Sequence, residues 1–262
     1  MSQASGQWDD LRTRLLSGVA LAGVGLASVW AGGLVFHFFV TIICGLMVWE
    51  LARMLGAGNA STWIAVLSGA LFLTAIEVPG GFALPLIFAP ALIGMTKIDQ
   101  QKVTYTLFCL GILLAGYGLI ILRDDFGFYW MAWLALVVVA TDLGGYFAGR
   151  LIGGPKIWPK VSPKKTWSGT VAGWAAAAVV SIPVVLSQPV GWELLGIAIA
   201  LSMASQLGDV SESALKRHVG VKDSSGIIPG HGGLFDRFDS MLGASLFLLL
   251  VEQIVDFPPP GI

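Results

Sequence analysis

Across 262 residues only 12% are charged and 56% are hydrophobic, for a mean hydropathy of +0.81 and a formal net charge of -1. A soluble domain carries roughly a quarter charged residues; too little charge is present here to cover a water-facing surface, and a soluble globule is excluded. Cys44 and Cys109 both fall inside apolar runs, which gives neither a disulfide framework nor a zinc-ligand spacing.

A membrane-crossing helix needs roughly 20 mostly apolar residues. Taken in chain order, the apolar runs predict spans at about 15–31, 34–53, 61–78, 81–96, 103–122, 128–149, 169–187, 191–208 and 240–256. Arg12 and Arg14 ahead of the first run resemble the start of a signal peptide. Asp9 and Asp10 beside them, the lack of a small-x-small cleavage site and the immediate second run favour a retained first span. The third and fourth runs are short and border or contain Pro79, Gly80, Gly81 and Pro85, so tilted, broken or re-entrant helices are expected there. The reading is an all-α, polytopic integral membrane protein of about nine helices, a single domain over 1–262 with its chemistry in 141–239.

Loop charge orients the spans. With a cytoplasmic N-terminus, 14 of the 15 basic residues fall on the inner side and only Arg123, beside Asp124 and Asp125, falls outside. Dropping either short helix would scatter the basic residues over both sides. Two inner segments, about 150–168 and 209–239, are much longer than the other connections. Activity is therefore expected at the cytoplasmic face.

The first long segment begins within the sixth span. Asp142 lies eight residues before Arg150, roughly 12 Å up the helix. An ionisable residue at that depth marks a candidate functional site, the alternative being an interhelical hydrogen bond. Gly144, Gly145 and Gly149 suit close helix packing. Lys156 and Lys160 serve equally well as contacts for anionic lipid heads. Lys164, Lys165, Thr166 and Ser168 follow Pro163, and two ammoniums with two hydroxyls suit phosphate oxygens.

In the second long segment, Asp209, Glu212, Ser213 and Lys216 share one face if the eighth helix continues inward, and Arg217 follows. A solvated helix end with internal ion pairs is the plainer reading. Next comes KDSSGIIPGHGG, where Lys222, Asp223 and His231 are woven into a Gly-Pro turn. His231 is expected to position by hydrogen bond. Asp236, Arg237 and Asp239 open the last span, with the two carboxylates on one helix side. Together with Asp209 they suit a hard divalent cation, since magnesium takes one or two carboxylates plus waters and substrate phosphates. Carboxylates among cations, without a Ser or Cys nucleophile, point to metal-assisted phosphoryl or nucleotidyl transfer.

The run from Ser213 through Leu215-Lys216-Arg217, Lys222-Asp223, Ser225, Ile228-Pro229 and His231-Gly232-Gly233-Leu234 to Asp236-Arg237-Phe238-Asp239 resembles the full signature of phosphatidate cytidylyltransferases, the CDP-diacylglycerol synthases. The block from Thr141-Asp142 to Lys164-Lys165-Thr166-Trp167 also resembles that family, and Trp49-Glu50 is a fainter echo. Ser168 stands where the family more often has Glu.

The resemblance implies a polytopic helical enzyme that converts CTP and phosphatidic acid to CDP-diacylglycerol and pyrophosphate. It also implies Mg2+ within a two-cation site, a homodimer and a place in the bacterial inner membrane. Asp209 and Asp236, with Asp239, are the expected cation ligands, membrane lipid is the surrounding partner, and no nucleic acid is expected. A nucleotidyltransferase for another lipid phosphate shares this chemistry. A CDP-alcohol phosphatidyltransferase should show D-G-x2-A-R, which is missing. A transporter would place its charges near the membrane midplane rather than at one surface.

Overall fold

Hydrophobic runs of this length bury their backbone polar groups internally, and the helix is the structure that does so within a single segment. A computed structural model describes residues 2–252 together with 254 and 257, and only the backbone of 2–14 and of Gly80. Among the described residues lie nine α-helices: α1 (Ser2–Ala31), α2 (Gly33–Met54), α3 (Ala60–Glu77), α4 (Gly80–Gly94), α5 (Lys102–Asp125), α6 (Gly127–Leu151), α7 (Trp167–Ser187), α8 (Glu193–His218) and α9 (Phe235–Glu252). Each apolar run of the sequence falls on one of them. By length and composition α2, α3, α5, α6, α7 and α8 are able to cross a membrane, while the apolar parts of α1 and α4 are shorter. The far end of the ninth predicted span, at 253, 255 and 256, lies outside the described residues, as do the side chains of Arg12 and Arg14.

Three boundaries differ from the sequence reading. First, α4 is one continuous helix although Pro85 and Pro90 lie inside it; each proline removes one intrahelical donor without stopping the run. Second, α8 continues past the apolar stretch to His218 and carries the Asp209–Lys216 segment as helix. Third, the segment between α6 and α7 contains an antiparallel hairpin, β1 (Lys156–Trp158) and β2 (Ser162–Thr166), with Lys156 opposite Thr166 and Trp158 opposite Ser162.

The chain divides into two compact units. One comprises residues 1–120 and 219–237, in which α1 packs on α2, α2 on α3 and α3 on α4. Its buried side chains include Phe36, Met47, Leu51, Ile64, Phe72, Ile87, Tyr105 and Leu113.

The other comprises residues 121–218 and 238–262, and is built on mutual packing of α6, α7 and α8. Polar side chains pin each pair. Trp133 Nε1 donates to Ser181 Oγ at 3.0 Å, Thr141 Oγ1 to Ser202 Oγ at 2.8 Å and Trp174 Nε1 to Gln206 Oε1 at 3.0 Å. Small residues allow the closest approach: a Cβ on Gly144 would stand 3.0 Å from both Ala172 O and Ala176 Cβ. Trp130 lies edge-on to Trp133 and Phe257, with ring centroids 5.5 and 5.2 Å away.

Candidate functional site

In the first unit, the end of α2 meets the signature loop. Glu50 is fully buried. Its carboxylate accepts from the amides of Leu234 (2.9 Å) and Phe235 (2.7 Å) and from Ser225 Oγ (2.5 Å). Ser224 Oγ lies 3.2 Å from Glu50 Oε2 and 3.0 Å from Asp236 Oδ2, so one hydroxyl serves two carboxylates. Asp236 Oδ2 also accepts from the amides of Ser224 (2.9 Å) and Gly233 (2.8 Å). The first amides of a helix lack intrahelical acceptors and carry partial positive charge. Glu50 accepts from the first amide of α9, Phe235, and from Leu234 just ahead of it, and Asp236 folds back from within α9 to the amide of Gly233.

The turn itself follows from its residues. Ile228 N donates to Gly232 O and His231 N to Ile228 O, both at 2.9 Å. Gly232 takes a φ of 83°, a left-handed angle suited to glycine. A side chain at Gly233 would collide with Ser224 Oγ and Glu50 Oε1. His231 Nδ1 and Ser17 Oγ share a hydrogen bond of 2.8 Å, and Ser17 Oγ reaches Pro229 O at 3.1 Å. Arg237 donates to His231 O from Nε (3.0 Å) and from its terminal nitrogen (2.7 Å). Lys222 and Asp223 are exposed. Beside them Trp49, Arg53, Asp223 and Ser225 line an open pocket of about 450 Å³, with the Arg53 guanidinium 4.7 Å above the Trp49 ring.

In the second unit, α8 and α9 cross at glycines. A Cβ on Gly208 would collide with the carbonyl of Asp239 and come within 3.1 Å of Gly243. This contact sets Asp209 beside Asp239. Lys165 Nζ forms an ion pair of 2.6 Å with Asp209 Oδ2, and Ser213 Oγ donates to Asp209 Oδ1 at 3.3 Å. Asp142, Asp209 and Asp239 repel one another electrostatically, and Lys165 offsets them. Asp239 lies on the polar first turns of α9, ahead of its apolar stretch. Burial, reinforced by the Asp209 carboxylate, pushes it up to about 7. About one helical turn beyond Asp209 lies the buried Glu212, and Lys216 a further turn on pairs with it at 2.6 Å.

Three carboxylates with one lysine among them form a donor set that favours a hard cation. Among the described residues no three His, Cys, Asp or Glu side chains converge to enclose a metal by themselves.

The hydroxyls of Thr166 and Ser168 serve local structure. Thr166 caps α7 by accepting from Gly169 N at 3.2 Å, and Ser168 bonds to Gly153 O and lies 3.0 Å from Thr166 Oγ1. The backbone carbonyl of exposed Lys164 lies 3.5 Å from Lys156 Nζ. Arg217 is exposed at the end of α8. Sequence reasoning did not assign a role to Glu50, Ser224, Glu212 or Ser17. Glu50 alone gave a signal, as a lone carboxylate in the apolar run V-W-E-L-A.

Fold and placement together define a polytopic helical membrane protein whose carboxylates and lysines gather on its polar segments. Residues 12–255 match the model of the cytidylyltransferase family, and the chain belongs to that family. A Brucella suis biovar 1 (strain 1330) protein named phosphatidate cytidylyltransferase is 36% identical over 259 residues, spanning 95% of this chain and 96% of its own. Proteins of the same name from Bacillus subtilis (strain 168) and Staphylococcus aureus (strain COL) are 34% and 32% identical, over 91% and 88% of this chain and 96% and 95% of theirs.

Proposed function

We propose that this chain transfers the cytidylyl group of CTP to phosphatidic acid, giving CDP-diacylglycerol and pyrophosphate. A phosphate oxygen of phosphatidic acid attacks the α-phosphorus of CTP. The bond from that phosphorus to the bridging oxygen breaks, and pyrophosphate leaves with the electron pair. A phosphomonoester is already partly dianionic near neutral pH, so the attack needs no strong general base. The protein's task is to hold two anionic reactants together and to stabilise the departing charge.

The observation that carries this reading is the KDSSGIIPGHGGLFDRFD loop, present in full and fastened by Glu50 and Asp236. The match of nearly the whole chain to proteins named for this activity supports it. Lys165, ion-paired to Asp209, and exposed Lys164 and Lys222 would carry phosphate charge. Asp209 and Asp239 would hold a magnesium ion, and Asp236 is proposed to serve the reaction from the signature loop. When bound, the ion supplies Lewis-acid stabilisation of phosphate oxygens.

The chain is further proposed to work as a homodimer in the bacterial inner membrane, with nine spans, a cytoplasmic N-terminus and its reacting groups on the cytoplasmic side. The one-sided distribution of 14 of its 15 basic residues supports that orientation.

The test is purified protein in detergent with Mg2+, CTP and phosphatidic acid. CDP-diacylglycerol and pyrophosphate should appear in equal amounts. Transfer to an isoprenoid phosphate but not to phosphatidic acid would move the assignment to another lipid phosphate. No transfer to any lipid phosphate would overturn the enzyme reading.

A further inference from the structure

We infer that Glu50 is a positioning residue for the reaction, acting through the signature loop rather than on a reactant. The inference rests on the function proposed above for its catalytic part and on geometry alone for its structural part.

Four donors converge on this one carboxylate: two hydroxyls from the middle of the loop, Ser224 and Ser225, and two amides from its end, Leu234 and Phe235. Nothing else on α2 is bonded to the loop through a carboxylate, and Glu50 has no exposure to solvent. A buried carboxylate is costly unless its oxygens are fully engaged. Here each oxygen takes two donors, and all four come from one twelve-residue stretch, 224–235. The result is a fixed distance between the start of that stretch and the first turn of α9.

Two consequences follow for the reacting groups. Ser224 is shared between Glu50 and Asp236, so the orientation of Asp236 depends on Glu50 through a single hydroxyl. The same tie also joins the two walls of the open pocket. Trp49 and Arg53 stand one and three residues away from Glu50 on α2, while Asp223 and Ser225 belong to the tethered loop. Releasing Glu50 would let the loop slide relative to α2 and change the pocket's width.

Glu50→Gln keeps the size of the side chain but turns an amide N–H₂ towards donors that need an acceptor. Ser225→Ala is a milder release that leaves three of the four bonds. Amide hydrogen exchange of both variants is compared with wild type, and turnover is measured per folded protein with CTP and phosphatidic acid each varied.

In Glu50→Gln, the Ser224, Gly233, Leu234 and Phe235 amides should exchange faster. The kcat should fall by about 10- to 100-fold, as expected when reacting groups are misplaced by around an ångström. KM for at least one reactant should also change, which a mere loss of folded protein would not produce. Ser225→Ala should move every readout in the same direction by a smaller factor and serves alone if Glu50→Gln does not fold.

Unchanged exchange at those amides overturns the inference whatever the reaction is. Faster exchange with unchanged kcat and KM confines Glu50 to a structural role and also overturns it. Wild-type protein that forms no CDP-diacylglycerol sinks the proposed function instead, and the exchange result then still decides whether Glu50 holds the loop.

Discussion

Lys165 Nζ lies 2.6 Å from Asp209 Oδ2, and it is the cation that offsets a cluster of three carboxylates. Both partners are about a quarter exposed. An ion pair in such a setting contributes about 0–1 kcal/mol to stability. Its importance lies in charge balance where phosphate is expected to arrive. Lys165→Met should therefore leave the thermal midpoint almost unchanged while lowering kcat/KM by about 100-fold, the scale of losing one stabilising charge at a transition state. Lys165→Arg should recover part of the loss. Wild-type kinetics in Lys165→Met would remove this lysine from phosphate handling.

Magnesium should stabilise the folded protein, because it would bind the native carboxylates and not the unfolded chain. At a concentration of about 100 times its Kd the gain is about 2.7 kcal/mol, readable as a rise in thermal midpoint over protein in EDTA. Asp209→Asn and Asp239→Asn should each lose that rise. In EDTA, Asp239→Asn should melt higher than wild type, since burial and the Asp209 charge both disfavour its ionised form. A full magnesium shift in both variants would dismiss these two ligands.

Asp236→Asn tests a residue with two claims on it. The substitution should abolish turnover and also speed exchange at the Ser224 and Gly233 amides, which now bond to the carboxylate. If turnover vanishes with exchange unaltered, Asp236 acts on the reaction alone. If exchange quickens and the magnesium shift is retained, its work is done within the loop.

Gly208→Ala places a methyl group against the Asp239 carbonyl and the backbone of Gly243. Overpacking of this kind costs about 1–3 kcal/mol, so the thermal midpoint should drop and turnover should fall with it. Gly196, on the same helix, has open space around it. Gly196→Ala should be neutral or stabilising by about 0.5–1 kcal/mol, the usual gain from replacing a helical glycine. Equal effects at the two positions would mean that the α8–α9 crossing is not the close contact described.

The sequence carried the helices well because length and apolarity leave a membrane segment little alternative. The inward continuation of α8 was left open: Asp209, Glu212, Ser213 and Lys216 share a face only if the helix runs on past its apolar stretch, as it does to His218. The hairpin between α6 and α7 was not legible: its strands are three and five residues long, rich in Lys and Pro, and set by pairing rather than propensity. Thr166 and Ser168 suited phosphate by chemistry, yet a Thr before Trp-Ser-Gly is equally a helix cap, and that is the bond it makes. Asp236 and Asp239, expected to open the last span, both fall near the start of α9. What each meets depends on residues far away in the chain. Glu50 was the hardest to read, because its donors lie 174 to 185 residues away and a fold, not a spacing, brings them.

That separation has a consequence during synthesis. Glu50 leaves the ribosome 174 residues ahead of Ser224. At about 5–20 residues per second, its carboxylate waits roughly 10–35 s at the end of an apolar helix before any of the four donors exists. During that interval it must be hydrated, which keeps the end of α2 near water until the signature loop arrives to replace the solvent.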